Sequence, residues 1–156
     1  MIQKNNLSFF YKKIQENSER VTLVLNTDVF IEGVLNAESC CGRLIEYLID
    51  ERFDIAMDDR IYLEYSAKLN DKKLGLEKSI DYLLKFLREN GKFVTAKKLK
   101  TKGNNLEDNY FLKFVEVAKS SNANAVVILR TDIVKFDNIN LFTSAITPEE
   151  VFEKLL

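Results

Sequence analysis

Two apolar runs in this chain end in similar polar tripeptides. Leu25 is followed by Asn26-Thr27-Asp28, and Leu129 is followed by Arg130-Thr131-Asp132. If both runs are strands of one parallel sheet, the two tripeptides lie at the edge where open α/β sheets bind ligands. Carboxylate and amide oxygens are ligands that Mg²⁺ and Mn²⁺ favour. The pattern therefore predicts a divalent-cation site that includes Asn26, Asp28 and Asp132.

Glu64 and Asp108 are two further acidic residues that could join this site. Glu64 lies one helical turn after Ile61, near the core-facing side of a predicted helix, where an unpaired charge is costly. Asp108 begins the helix that directly precedes the second apolar strand. Carboxylates that are brought together raise one another's pKa, and a bound cation offsets this repulsion. We therefore expect metal ligands at Asp28, Glu64, Asp108 and Asp132.

Each of these acids also has an ordinary structural explanation. Asp28 and Asp108 could cap helices, because Asp is favoured at helix N-termini. Asp132 could be a turn residue, and Glu64 could lie on the surface. Residues 92–102 are rich in lysine. They would form a solvated loop if the acids are structural, and they would contact RNA if the protein is a nuclease. The hypothesis of a metal site depends on whether the acids converge.

Composition excludes several kinds of chemistry. The chain contains no histidine, which rules out Ser-His-Asp catalysis, Cys-His catalysis and His-ligated zinc. Its two cysteines, Cys40 and Cys41, are adjacent, which predicts neither a disulfide framework nor a zinc motif. No apolar run approaches the roughly 20 residues of a membrane span, and no signal peptide is visible, so we expect a cytoplasmic protein. The net charge of −1 neither requires nor excludes a nucleic-acid partner.

Predicted strands and helices alternate along the chain. Apolar runs predict strands over 21–26, 53–57, 93–94, 125–129 and 140–142. Helical spacing predicts helices over 6–17, 38–50, 58–69, 76–90 and 107–121, and a last helix that starts at Thr147. Gly33 and the segment Val34–Glu38 predict a short helical turn followed by a break. The pattern favours a three-layer α/β/α fold with a central parallel sheet of four or five strands. We expect one domain over 1–156, with residues 1–18 as an N-terminal helical extension.

The acidic motifs, in their order and spacing, resemble those of the PIN domain, the fold of many prokaryotic toxin ribonucleases of the VapC-like type. Asn26-Thr-Asp-Val-Phe30 is similar to the family's first motif, a strand that ends Asp-Thr-Asn, with the acid and the amide exchanged. The second, third and fourth acids of the family are matched by Ile61-Tyr-Leu-Glu-Tyr65, Asp108-Asn-Tyr-Phe-Leu112 and Thr131-Asp132. The resemblance runs from about residue 21 to the C-terminus.

The resemblance implies a Mg²⁺- or Mn²⁺-dependent endoribonuclease. It implies that the four acids and Asn26 bind the metal directly or through water, with Thr27 and Thr131 in support. RNA phosphates would be held by nearby basic residues, of which the candidates are Lys97, Lys98, Lys100 and Arg130. The resemblance also implies RNA as the substrate, and an antitoxin protein and a second copy of the chain as candidate partners.

Asn26 departs from the family pattern, because the first acid is usually a principal metal ligand. An amide oxygen can bind a hard cation but brings no charge. The alternative hypothesis is therefore a catalytically weak or inactive PIN-like module that binds RNA or a partner protein. A phospho-accepting receiver module is a weaker alternative, because the acidic pair Asp58-Asp59 follows the second predicted strand rather than the first.

Overall fold

A computed structural model of the protein describes residues 20–71, 77–99, 106–137 and 144–156, and the side chains of all of these except 106–109 and 137. The predicted helix over 6–17, the predicted strand over 140–142 and the candidate RNA contact Lys100 lie outside the described residues.

Five parallel strands form one sheet in the described part of the chain. They are β1 (Thr22–Leu25), β2 (Asp54–Met57), β3 (Lys92–Phe93), β4 (Ala125–Val127) and β5 (Ala145–Ile146). Their order across the sheet is β3-β2-β1-β4-β5, and every neighbouring pair is parallel. This arrangement confirms the predicted α/β fold with a central parallel sheet.

Helices connect and cover the strands. The described helices are α1 (Thr27–Leu35), α2 (Cys40–Ile49), α3 (Asp59–Asp71), α4 (Glu77–Asn90), α5 (Leu106–Ser121), α6 (Ile133–Asp137) and α7 (Pro148–Lys154). A short 3₁₀ helix, Arg130–Asp132, precedes α6. In the described part of the chain, no helix has the combined length and apolar character that crossing a membrane would require.

The middle of the sheet is the centre of the hydrophobic core. Leu23, Val24 and Leu25 of β1 are completely buried, as are Val126 and Val127 of β4. Side chains on both faces of these strands are buried because helices lie on both sides, so the strands are apolar throughout rather than alternating. The polar residues that follow such strands are therefore the first groups at this edge that can face solvent or a ligand.

Two helix starts match their sequence signals. The Asp58 carboxylate accepts a hydrogen bond of 3.1 Å from the backbone N–H of Ile61 and so caps α3. Thr147 caps α7 in a capping box with Glu150, as predicted from Thr147, Pro148 and the acid three residues after the cap. Cys40 begins α2, and burial is the main cause that raises the pKa of Cys41 to about 11.

The first helix differs from its prediction. The sequence predicts only a short turn near Gly33 and a break, whereas α1 begins at Thr27 and places Gly33 in its last turns. A Cβ atom on Gly33 would lie 2.5 Å from Ile45 Cγ1 and 2.6 Å from the Cys41 carbonyl oxygen. The glycine therefore permits the close approach of α1 and α2, and the predicted break falls just after the helix, at Asn36–Ser39.

Candidate functional site

Asn26 joins the central strand to the first helix. Its backbone N–H donates to the Val127 carbonyl at 2.9 Å, and so extends the pairing of β1 with β4 by one residue. Its side-chain Oδ1 accepts a hydrogen bond of 3.0 Å from the backbone N–H of Asp28. Asn is a favoured N-cap because this bond satisfies a helix N–H that otherwise has no partner. The chain therefore turns from strand to helix at Asn26.

This turn determines where Asp28 lies. The sequence left open whether the strand continues to Asp28, and the structure ends β1 at Leu25. Asp28 is in the first turn of α1, where its negative charge is stabilised by the helix dipole, and its side chain is exposed. The alternative role of helix cap belongs to Asn26 and not to Asp28. The carboxylate is therefore available at the carboxyl edge of the sheet.

Two polar side-chain atoms at the start of α1 are buried without a hydrogen-bond partner among the described residues. They are the Asn26 amide nitrogen Nδ2 and the Thr27 hydroxyl. Both residues are completely buried. An unsatisfied buried donor costs roughly 1–3 kcal/mol, so these atoms favour a water or a ligand that would pair with them. The supporting role that the resemblance implies for Thr27 stays a prediction.

The charges of three acids act on the hydroxyl group of Tyr110. Burial raises the pKa of Tyr110 above its ordinary range. Three carboxylates raise it further, those of Asp28, Glu64 and Asp132. The Asn26 amide is close enough to oppose this rise in pKa, although the two groups do not reach hydrogen-bond geometry. Residues from three separate segments of the chain therefore act on the pKa of one hydroxyl group of α5.

Asp132 ends the short 3₁₀ helix after β4 and is half-buried. Burial raises its pKa, the charge of Asp28 raises it further, and Lys135 lowers it. After burial, the charge of Asp28 is the next cause of this raised pKa. Two carboxylates whose charges act on each other suit a hard divalent cation as oxygen ligands.

Glu64 already has a counter-charge within the protein. Its Oε2 lies 2.7 Å from Lys113 Nζ, and the two side chains are only 20% and 17% exposed. The Lys113 ammonium also lies 4.7 Å from the centre of the Tyr110 ring and 5.1 Å from that of Phe114. The sequence placed Glu64 near the core-facing side of its helix, and this ion pair is what compensates the charge there.

Tyr65 holds the helix that carries Glu64 against the end of the central strand. Its hydroxyl donates a hydrogen bond to the Leu25 carbonyl oxygen, and the side chain is completely buried. Its ring stacks on that of Phe30 in α1, with centroids 4.2 Å apart. The carboxylate next to it in sequence is therefore fixed relative to both β1 and α1.

The remaining predicted residues fall into two groups. Asp108 lies in the first turn of α5, as expected, but its side chain is outside the described residues. Thr131, Arg130, Lys97 and Lys98 are exposed, and all four follow the carboxyl ends of strands β3 or β4. Among the described side chains, no three acidic or cysteine groups lie close enough together to enclose a metal ion. The donors that fit a cation best are the pair Asp28 and Asp132.

Tyr110 and Lys113 were missed by the sequence analysis. Both lie on the helix that Asp108 begins, at i and i+3, beside the buried ring of Phe114. Spacing of this kind puts the three side chains on one face of the helix. That face is directed at the sheet, so a polar residue on it needs a partner. The positions of Tyr110 and Lys113 on this face were the signal available in the sequence.

Comparison with known proteins gives one positive finding. A family model for the PIN domain matches residues 22–128, which is more than two-thirds of the chain. The matched range contains Asn26, Asp28, Glu64 and Asp108, and it ends four residues before Asp132. No curated protein matches the chain.

Proposed function

This chain belongs to the PIN-domain family, and on that premise we propose that it is a divalent-metal-dependent endoribonuclease. One observation carries the proposal: Asp28, Glu64 and Asp132 come from distant parts of the sequence, and their charges all act on one half-buried side chain, that of Tyr110. Topology alone does not require this convergence. Without a positively charged ligand, repulsion among these carboxylates would only destabilise the folded protein.

Asp28 and Asp132 are the residues that would hold Mg²⁺ or Mn²⁺, with Asp108, Glu64 and the amide oxygen of Asn26 as further oxygen donors directly or through water. The bound cation supplies a Lewis acid and an activated water for attack on a phosphodiester. Tyr110, with its raised pKa, stays protonated and can donate a hydrogen bond to an oxygen of the substrate or of a ligand water. Thr27 and Thr131, which precede Asp28 and Asp132 in the sequence, would support these acids with their hydroxyl groups.

Single-stranded RNA is the proposed substrate, and the same edge of the sheet offers the basic groups to hold it. Arg130 follows β4 and is exposed, and Lys97 and Lys98 are exposed after β3. The backbone of this lysine-rich segment is attached to α5, because the N–H of Lys97 donates to Ser120 and that of Leu99 donates to Glu116. The side chains of Lys97 and Lys98 therefore extend from a backbone that is held in place, and they can contact phosphates.

The test is cleavage of labelled single-stranded RNA in the presence of Mn²⁺, with chelation of the metal as a blank. We expect Asp132→Asn to reduce the rate by about 100-fold or more, because a metal contributes several kcal/mol to such a reaction. Asp81→Asn changes an exposed acid on α4 and is the matched control, which we expect to cut at the wild-type rate. If the wild-type protein neither cuts RNA nor binds Mn²⁺ in calorimetry, the proposal is wrong.

A second candidate is a PIN-like module that binds RNA or a partner protein and cuts weakly or not at all. Two observations favour it: Asn26 brings no charge to the first position, and the carboxylate of Glu64 is occupied by Lys113. Metal-dependent cleavage that Glu64→Gln abolishes would exclude this candidate. RNA binding without cleavage would support it.

The proposed biological setting is a toxin–antitoxin pair. Exposed apolar side chains of Ile49 and Tyr82 border a groove of about 460 Å³ between α1, α2 and α4. Such a surface suits an antitoxin segment or a second copy of the chain. Sedimentation of the purified protein alone would test the homodimer, and expression of the chain in a host cell, with growth as the readout, would test toxicity.

A further inference from the structure

The ammonium group of Lys113 is the counter-ion of Glu64 within the candidate site. It is 2.7 Å from Glu64 Oε2 and 3.4 Å from the Tyr110 carbonyl oxygen. The ammonium also lies 4.7 and 5.1 Å from the ring centres of Tyr110 and Phe114, and only 17% of the side chain is exposed. A surface ion pair between long side chains is loosely held and screened by solvent, whereas this one is largely buried beside two aromatic rings.

Two acidic residues at α5 have a counter-charge within the protein. Glu64 is paired with Lys113, and elsewhere on α5 the buried Glu116 is paired with Arg60 at 2.9 Å. The protein thus supplies its own cation at Glu64.

We propose that Lys113 takes the place of a second divalent cation at Glu64, so that the site binds one divalent ion, held by Asp28 and Asp132. The inference rests on the proposed function and specifies the metal content of its site. A second ion bound to Glu64 would have to displace the ammonium or lie next to it, and either arrangement is opposed by charge repulsion. Lys113 is a positioning residue here, since it acts through Glu64.

Counting bound Mn²⁺ tests the inference without any activity assay. The full chain is titrated with Mn²⁺, and free Mn²⁺ is measured by electron paramagnetic resonance. We expect one ion per chain for the wild type. We expect two for Lys113→Met, which keeps an unbranched side chain beside the two rings but leaves Glu64 without a counter-charge.

Two further variants keep the test independent of folding defects. Lys113→Arg retains the positive charge, and we expect it to bind one ion. Lys113→Met combined with Glu64→Gln removes both charges, and we expect the count to return to one. Far-ultraviolet circular dichroism checks that each variant is folded.

The outcomes separate this inference from the proposed function. Two ions in the wild type, or one ion in a folded Lys113→Met variant, overturns the role assigned to Lys113, and RNA cleavage by the wild type then still supports the nuclease. A wild type that binds no Mn²⁺ and leaves RNA intact overturns both. One ion in the wild type and two in Lys113→Met supports the inference whatever the rate of cleavage.

Discussion

Asn26 combines a structural and a chemical role in one side chain. Its Oδ1 caps α1, its backbone pairs with β4, and its buried Nδ2 lies toward Tyr110 without a partner among the described residues. An aspartate would cap the helix equally well, because Asn and Asp are similar N-caps. What Asn26 removes is one negative charge at a position that acts on the pKa of Tyr110. Asp28 does not restore that charge at the same place, since it lies on the helix and is exposed.

Restoring the acid by Asn26→Asp is therefore expected to affect metal binding more than folding. Without metal, the added buried charge beside Asp28 and Asp132 lowers the melting temperature. With Mn²⁺, we expect about tenfold tighter binding than in the wild type, because each added charged ligand strengthens a hard-cation site. Calorimetric titration measures the affinity, and thermal melts with and without Mn²⁺ measure the opposite effects on stability.

Asn26→Ala is the matched control for this prediction. It removes the cap without adding a charge, and we expect it to lower the free energy of unfolding by about 1 kcal/mol. Its Mn²⁺ affinity stays at or below that of the wild type. If Asn26→Asp binds Mn²⁺ no more tightly than wild type, the Asn26 side chain does not face the cation.

At the scale of elements, α5 organises the site more than any strand does. Tyr110 and Lys113 face the acids, and Glu116 one turn later binds Arg60 and the N–H of Leu99. This helix therefore connects the carboxylates to the lysine-rich segment that follows β3. Sequence periodicity predicted the helix but not these pairings, because each partner lies in a distant part of the chain.

The contact between α1 and α2 is the tightest helix packing near the site, and Gly33 makes it possible. We expect Gly33→Ala to lower the free energy of unfolding by roughly 1–3 kcal/mol, because the new methyl group overlaps Ile45 and the Cys41 carbonyl. Urea unfolding followed by circular dichroism measures this cost. Leu35→Ala, at an exposed position of the same helix, is the control, and we expect it to cost less than about 1 kcal/mol. An equally small effect for Gly33→Ala would show that the helices separate freely.

The sequence predicted best those elements that depend on interactions between residues close together in the chain. Local signals were sufficient for the capping of α3 by Asp58 and of α7 by Thr147. The start of α1 at Thr27 was missed because an Asn after an apolar run fits both the end of a strand and a cap. The fifth strand lies at Ala145–Ile146, in a stretch with little apolar pattern, where pairing with β4 rather than composition defines it.

For the whole molecule, parallel topology explains how far the candidate site could be predicted. With β1 at the centre and β2 and β4 beside it, the ends of all three strands lie at one edge. Asp28 and Asp132 follow β1 and β4, and Glu64 lies on the helix after β2, so the prediction that they form one site follows from the order of the strands. The counter-charge of Lys113 could not be predicted, because it depends on how α5 and α3 are rotated toward each other.

The distribution of charge over the whole molecule gives the last prediction. The net charge of −1 offers no general attraction for RNA, so binding depends on the cations at the carboxyl edge of the sheet. Affinity for single-stranded RNA, measured in the Asp132→Asn background to prevent cleavage, should fall as salt rises. Replacing Lys97 and Lys98 together by Ala should reduce the slope of log affinity against log salt by about 1.4, since each phosphate contact to a single strand contributes about 0.7.

The control variant also loses two positive charges, but at lysines on helices α4 and α7. Lys85 and Lys154 are 74% and 61% exposed, and each is paired with an acid four residues away on its own helix. Their double replacement by Ala lowers the net charge by the same two units, so any effect of total charge alone appears in both variants. If the two double variants show equal slopes, RNA does not cross the edge of the sheet where the acids lie. A lower slope for the Lys97 and Lys98 variant alone places the RNA along the path that leads to Asp28 and Asp132.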